Sequence, residues 1–144
     1  MSEAPDDASL REIFDRCRTI AVVGIKNGPN DDAHRVPLYM QRHGYRVVPI
    51  SPKLAEVLGE RAFASLAALR EPVDLVNLFR APQHLPAHVD EILALPEKPF
   101  AVWFQLGIRH DESAARLERA GIRVVQDACL MVEHARVVEG RGHP

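Results

Sequence analysis

The sequence predicts an α/β fold, a doubly wound domain of about five mainly parallel strands with helices on both faces. Three observations carry that expectation. Five short apolar runs rich in β-branched residues, TIAVVG, YRVVPI, VDLVNLF, FAVWFQL and IRVVQ, are nearly continuous rather than alternating. Strands buried on both faces read in this way. Helix-patterned stretches separate most of these runs, and strands joined by helices imply right-handed crossovers and a parallel sheet. The length of 144 residues, with 47% hydrophobic and 26% charged residues, suits one domain over 1–144 with a core of its own and is short for two.

The elements follow in order. Residues 9–18 form an amphipathic leader that presents Leu10, Ile13, Phe14 and Cys17 on one side, and the segment 1–18 is expected to cap the domain. TIAVVG, from Thr19, is the first strand and is expected to be central in the sheet. A helix over 33–43 places Val36, Tyr39, Met40 and His43 on one face. Gly44 follows it, where a helix end takes a positive φ, and leads into YRVVPI. A helix over 65–70 is expected before VDLVNLF. The next helix, 84–95, gathers Leu85, Val89, Ile92 and Leu93 on one face and precedes FAVWFQL. A helix over 111–120 ends at Gly121 and gives way to IRVVQ. A short last helix starts near Cys129, and 137–144 reads as a tail.

Composition narrows the function classes. A formal net charge of -2 leaves no basic stripe for generic binding to nucleic acid or an anionic membrane, so neither partner is expected. The opening MSEAPDDASLREIF is acidic and lacks the cationic and apolar regions of a secretory signal, and no apolar run approaches a membrane span. A cytoplasmic location is expected. Two distant cysteines, Cys17 and Cys129, suit a reducing compartment, and both read as small buried hydrophobes. Of seven histidines, His84 and His88 lie one helical turn apart, but no carboxylate stands at a matching turn. They read as a solvated face, and no metal is expected.

In a doubly wound sheet, ligands bind beyond the carboxyl ends of the strands where the strand order reverses. That rule nominates the loops after Gly24, Ile50, Phe79 and Phe104. Gly24 permits close approach of a ligand, and the helix starting near Ala33 turns its amides and positive dipole end toward the loop. A phosphate suits such a loop. The dinucleotide fingerprint G-x-G-x-x-G is absent from GIKNG, and no Walker loop is present. The second strand closes VVPISPK, with Lys53 where an NAD site carries an acid. That exchange disfavours NAD and suits a ribose bearing a phosphate, as in NADP or coenzyme A.

The order AVVG, VPLYM, GYRVVPISPK, VLGERAFASL, VDLVNLFRAP, VWFQLGIRHDE and AGIRVVQDACLMVEH resembles the stand-alone CoA-binding domain family, similar to the nucleotide-binding domain of the succinyl-CoA synthetase α subunit. The resemblance spans roughly 19–134 and implies a Rossmann-like domain that binds coenzyme A or an acyl-CoA. It puts the phosphates near the first loop and the adenine end near the loop after the second strand. Carried onto this chain, the phosphate-loop positions are Gly24, Ile25 and Lys26, with His34 and Arg35 at the start of the following helix. The motif after the second strand falls on Ser51, Pro52 and Lys53. The third-strand motif falls on Phe79 and Arg80, and the fourth on Gln105, Leu106, Gly107 and Ile108.

Two departures from the family pattern stand out. Lys26 occupies a place where many members have serine, and Ala128 precedes Cys129 where an arginine is usual. Lys26, Arg35, Lys53 and Arg80 offer local positive charge to a ligand with several phosphate charges, and Gln105 offers a donor to a pantetheine amide or holds its own loop. Ligases of the resembling kind need a second domain and a phosphorylated histidine, so a non-catalytic binding role is expected. The alternatives are an NADP-dependent oxidoreductase or nucleotide sensor, and an interaction module that has lost its ligand. The protein partner and the acyl group stay open.

Overall fold

A computed structural model describes residues 4–140. Helix α1 (Asp7–Arg16) begins under the Asp6 carboxylate, which accepts the Ser9 amide at 2.9 Å. Strand β1 (Thr19–Val23) leads to α2 (Asp32–Arg42), and β2 (Arg46–Ile50) follows. A small antiparallel hairpin comes next, β3 (Glu56–Val57) and β4 (Glu60–Arg61). The chain continues through β5 (Leu75–Leu78), α3 (Leu85–Leu93), β6 (Ala101–Phe104), α4 (Asp111–Arg119), β7 (Arg123–Val125) and α5 (Leu130–His134). A π-helical turn, Ala135–Glu139, ends the described chain.

The main sheet is parallel throughout, in the order β2-β1-β5-β6-β7. The doubly wound α/β expectation therefore holds. One detail differs: β5 occupies the centre, and β1 lies inside the sheet between β2 and β5. The chain runs outward from β1 to β2, then crosses to the other side of β1 for β5, so the order reverses between β1 and β5.

Alternate residues of each strand feed two cores. On one face Ile20, Val22, Val47, Leu75 and Trp103 pack with Leu10, Ile13 and Phe14 of α1, Val36 and Met40 of α2, and Leu130 and Val137. On the other, Ala21, Val23, Val48, Val76, Leu78 and Phe104 pack with Leu85, Val89 and Ile92 of α3 and Ala114 and Leu117 of α4. Trp103 is wholly buried against Phe14, with ring centroids 5.7 Å apart, and its indole N–H donates to the Ala128 carbonyl at 2.8 Å.

Three expectations are corrected. The helix expected over 65–70 is only a 3-10 turn, Leu66–Ala68, and the hairpin fills the rest of the link from β2 to β5. Leu58 and Gly59 both have positive φ (56° and 75°), as the tight turn between β3 and β4 requires. The tail expected over 137–144 does not start at 137, since Val137 is buried inside the turn Ala135–Glu139; residues 141–144 lie outside the described residues. Cys17 is fully buried as expected, whereas Cys129 is only half-buried. Among the described residues no helix is long and apolar enough to cross a membrane.

Candidate ligand crevice at the switch point

The carboxyl ends of β1, β5 and β6 surround a crevice of about 320 Å³. Its walls include Gly24 and Lys26 after β1, Asp32 and Ala33 at the start of α2, Phe79, Arg80 and Ala81 after β5, Gln105, Leu106 and Ile108 after β6, and Cys129. A second cavity of the same volume lies at the opposite, amino-terminal end of β5, between Leu69, Val73, Leu95 and Pro96. It sits away from the reversal of strand order that concentrates loops and helix ends. The first crevice is the functional candidate.

Gly24 has a reason beyond the ligand. Its φ is 85°, and a Cβ there would stand 2.5 Å from the Phe79 carbonyl oxygen. The close approach brings the β1 and β5 loops together and so builds the crevice floor. Ile25 is buried and anchors the loop from below, and the Lys26 amide donates to the Ala33 carbonyl at 3.2 Å, leaving the exposed Lys26 side chain at the rim.

Arg80 is the best-held cation. Its Nε–H donates to His88 Nε2 at 3.3 Å, and His88 Nδ1 meets Glu91 Oε1 at 2.9 Å. A guanidinium only donates, so Nε2 carries the lone pair and the proton sits on Nδ1, donated to Glu91. This relay fixes the root of the guanidinium, and the two terminal nitrogens have no partner among the described residues. His88, read from sequence as a solvated histidine, is instead a largely buried support for a site residue. Its spacing of eight residues from Arg80 crosses a 3-10 turn, Pro82–His84, which breaks any simple helical pattern. Among the described residues, no group of three or more His, Cys, Asp and Glu side chains is placed to hold a metal ion.

Gln105 is buried and lines the crevice. Its Oε1 accepts from Asn77 Nδ2 and from the Leu130 amide, both at 3.3 Å. The Leu130 N–H can only donate, which fixes the orientation of the Gln105 amide. Its NH2 group is left without a partner among the described residues. Behind it, Asn77 is fully buried, and its Oδ1 has no hydrogen-bond partner. Leu106 is exposed, Gly107 has a φ of 86° with its amide tied to Asp127 Oδ1 at 2.7 Å, and Ile108 is partly buried.

Other expected residues stand apart from the crevice walls. Arg35 pairs with Asp32 in the first turn of α2, so its charge offsets that of a carboxylate on the crevice wall. His34 is partly buried, and its Nδ1 has no partner. Ser51 is buried, its amide donating to Phe63 and its Oγ accepting the Lys53 amide at 3.1 Å. That turn holds Pro52 and Lys53 exposed beyond the end of β2. Sequence reasoning did not select Asp32, Ala33, Ala81 or Asn77 for the site. Of these, Asn77 carried a signal: a lone amide inside the apolar run VDLVNLF.

The sequence matches the family described as the CoA binding domain over residues 18–135. The chain belongs to the CoA-binding domain family. This CoA-binding domain is 37% identical over 131 residues to a protein of Bacillus subtilis (strain 168) named uncharacterized protein YneT, covering 91% of this chain and 96% of the relative. A solved structure from Thermus thermophilus, cell-free ID.343, is 47% identical, with a TM-score of 0.87 over 92% of this chain and 99% of that one. A hypothetical protein from Pyrococcus horikoshii OT3 is 32% identical, also with a TM-score of 0.87, over 96% of this chain and 99% of that one. The CoA-binding domain therefore spans nearly the full length of each of these relatives.

Proposed function

We propose that the protein binds coenzyme A or an acyl-CoA in the switch-point crevice and holds it without turning it over. The observation that carries this reading is the convergence of unspent donors on one cavity: the Arg80 terminal nitrogens, the Lys26 ammonium and the Gln105 NH2. Hydrogen bonds that involve a charged group contribute about 1.5–3 kcal/mol, so unpaired donors facing one cavity favour an anionic, acceptor-rich ligand there. The family membership supplies the ligand class.

The residues present fit the ligand in three ways. Arg80 and Lys26 suit the diphosphate, by charge and by the forked geometry of guanidinium. Gln105 suits an amide carbonyl of the pantetheine arm. Lys53, exposed beyond β2, suits the ribose phosphate that distinguishes coenzyme A from its dephospho form. Asp32 on the wall opposes a bare anion, and its ion pair with Arg35 offsets that opposition.

Thermal unfolding tests the reading. Coenzyme A at 100 times its Kd stabilises the folded state by about 2.7 kcal/mol, which raises Tm by several degrees, and NADP at the same concentration raises it far less. An equal shift with both would favour a general nucleotide site, and no shift with either would remove the ligand reading.

A further inference from the structure

We propose that Cys129 is a thiol-exchange site in the crevice wall, which captures the disulfide form of coenzyme A as a mixed disulfide. The proposal rests on the reading of the crevice as a coenzyme A site and adds a covalent step to it.

The two cysteines occupy opposite environments. Cys17 is fully buried, its Sγ lies 3.6 Å from the Asp74 carbonyl oxygen, and burial pushes its thiol up to about 12, with the Asp74 carboxylate adding to the effect. That thiol is inert. Cys129 is half-buried and lines the crevice with Phe79, Arg80 and Gln105.

A second observation points to a ligand at the same wall. Gln105 is 5% exposed, lines the crevice, and presents an NH2 group with no partner among the described residues. Its Oε1 is occupied by Asn77 Nδ2 and by the amide of Leu130, the residue that follows Cys129. Gln105 is therefore tied to the backbone beside the thiol. An amide carbonyl seated on the Gln105 NH2 would lie in the same part of the crevice as Cys129. The pantetheine arm has this order of groups, amides along its length and sulfur at its end. Leu106 and Ile108 give the wall around them an apolar character that suits the arm's methylenes.

The step balances without a further oxidant. The Cys129 thiolate attacks one sulfur of the coenzyme A disulfide. A bond forms between Cys129 Sγ and that sulfur as the ligand's S–S bond breaks, and the electron pair leaves with the second coenzyme A as a thiolate. That thiolate takes up a proton from solvent, replacing the one Cys129 released. The protein thiol is oxidised, one coenzyme A is released reduced, and any free thiol reverses the reaction.

Intact-protein mass spectrometry decides the matter. The protein is incubated with coenzyme A disulfide and, separately, with glutathione disulfide, which carries the same reactive bond and no nucleotide. The expected result is one coenzyme-A-sized increment on the parent and on Cys17→Ser, none on Cys129→Ser, and removal of the increment by dithiothreitol. Because the crevice raises the local concentration of its ligand, labelling should run at least about tenfold faster with coenzyme A disulfide than with glutathione disulfide. Gln105→Leu should slow only the former. Labelling that persists in Cys129→Ser, or equal rates with the two disulfides, would overturn the proposal. Reduced coenzyme A is titrated in parallel onto Cys129→Ser by calorimetry. Saturation there with no increment on the parent overturns thiol exchange and leaves the binding site standing, whereas neither saturation nor an increment overturns both.

Discussion

Arg80 on the crevice wall and Lys53 beyond the end of β2 divide the work proposed for cations. Arg80 is fixed at Nε by the His88–Glu91 relay and keeps its terminal nitrogens unspent, so little side-chain entropy is lost when a phosphate arrives. Lys53 is exposed beyond β2, with only its backbone amide tied down, through Ser51 Oγ. It is expected to act on one phosphate alone. Lys53→Ala should weaken coenzyme A about two- to fivefold while leaving dephospho-coenzyme A nearly unchanged, as loss of a solvent-exposed charge pair implies. Calorimetric titration of both ligands onto both proteins checks this, and equal losses would return Lys53 to an ordinary surface residue. The places of Phe79, Arg80 and Gln105 on the crevice wall were legible, because the switch-point rule picks strand ends. Their supports were not. His88 reaches Arg80 across a 3-10 turn, and the Gln105–Asn77 pair joins two strands that are 26 residues apart in the tryptophan contact and 28 in the amide contact. No local pattern encodes such pairs.

At the scale of elements, α5 follows directly on the crevice residue Cys129 and packs against α2, the turn after it packs against α1, and a buried histidine holds them. His134 shares a hydrogen bond with the Tyr39 hydroxyl at 3.0 Å and lies edge-on to Phe14, Tyr39, His43 and Tyr45 at 5.1–5.6 Å. Burial lowers its pKa below the ordinary 6.5, His43 lowers it further, and Glu139 opposes them. The folded protein therefore disfavours the proton that the unfolded chain accepts. Stability from this site is present above about pH 6.5 and is lost as pH falls through that value toward the lower folded pKa. Between pH 7.5 and 5, denaturant unfolding should show a loss of stability in the parent that is smaller in His134→Phe combined with Tyr39→Phe. Equal losses in the two proteins would exclude His134 as the source. The carboxylates of Asp6, Asp7 and Glu12 are held low by hydrogen bonds and respond only in stronger acid. Helices α1 to α4 were legible from an apolar face repeated at helical spacing, and the five sheet strands from short, nearly continuous apolar runs rich in β-branched residues. The hairpin was not: its strands have two residues each, and its turn is Leu58-Gly59 rather than the usual Asn-Gly. The stretch 65–70 has helical composition, but six residues followed so soon by Pro72 are too short to propagate an α-helix.

For the whole molecule, the slight negative charge and the cationic crevice are compatible because the cations are local. A net charge of -2 gives no broad attraction to polyanions, yet Lys26 and Arg80 both line the crevice at the switch point. The fold explains why they meet: β1 and β5 are neighbours in the sheet but 50-odd residues apart in the chain, so their loops converge only after the crossover through β2. That convergence was legible from the order of elements, and the family's motifs named most of the loops. The departure at Lys26 also reads differently in three dimensions, since Lys26 and Arg80 line the same crevice. The most direct test is calorimetric titration of ligand-stripped protein with coenzyme A and with NADP, repeated on Arg80→Ala. Saturable binding of coenzyme A in the micromolar range, about -8 kcal/mol, much weaker binding of NADP, and a loss of about tenfold or more in Arg80→Ala are the predicted results. No saturation with coenzyme A, or an affinity untouched by Arg80→Ala, would contradict a coenzyme A site at the β1–β5 switch point.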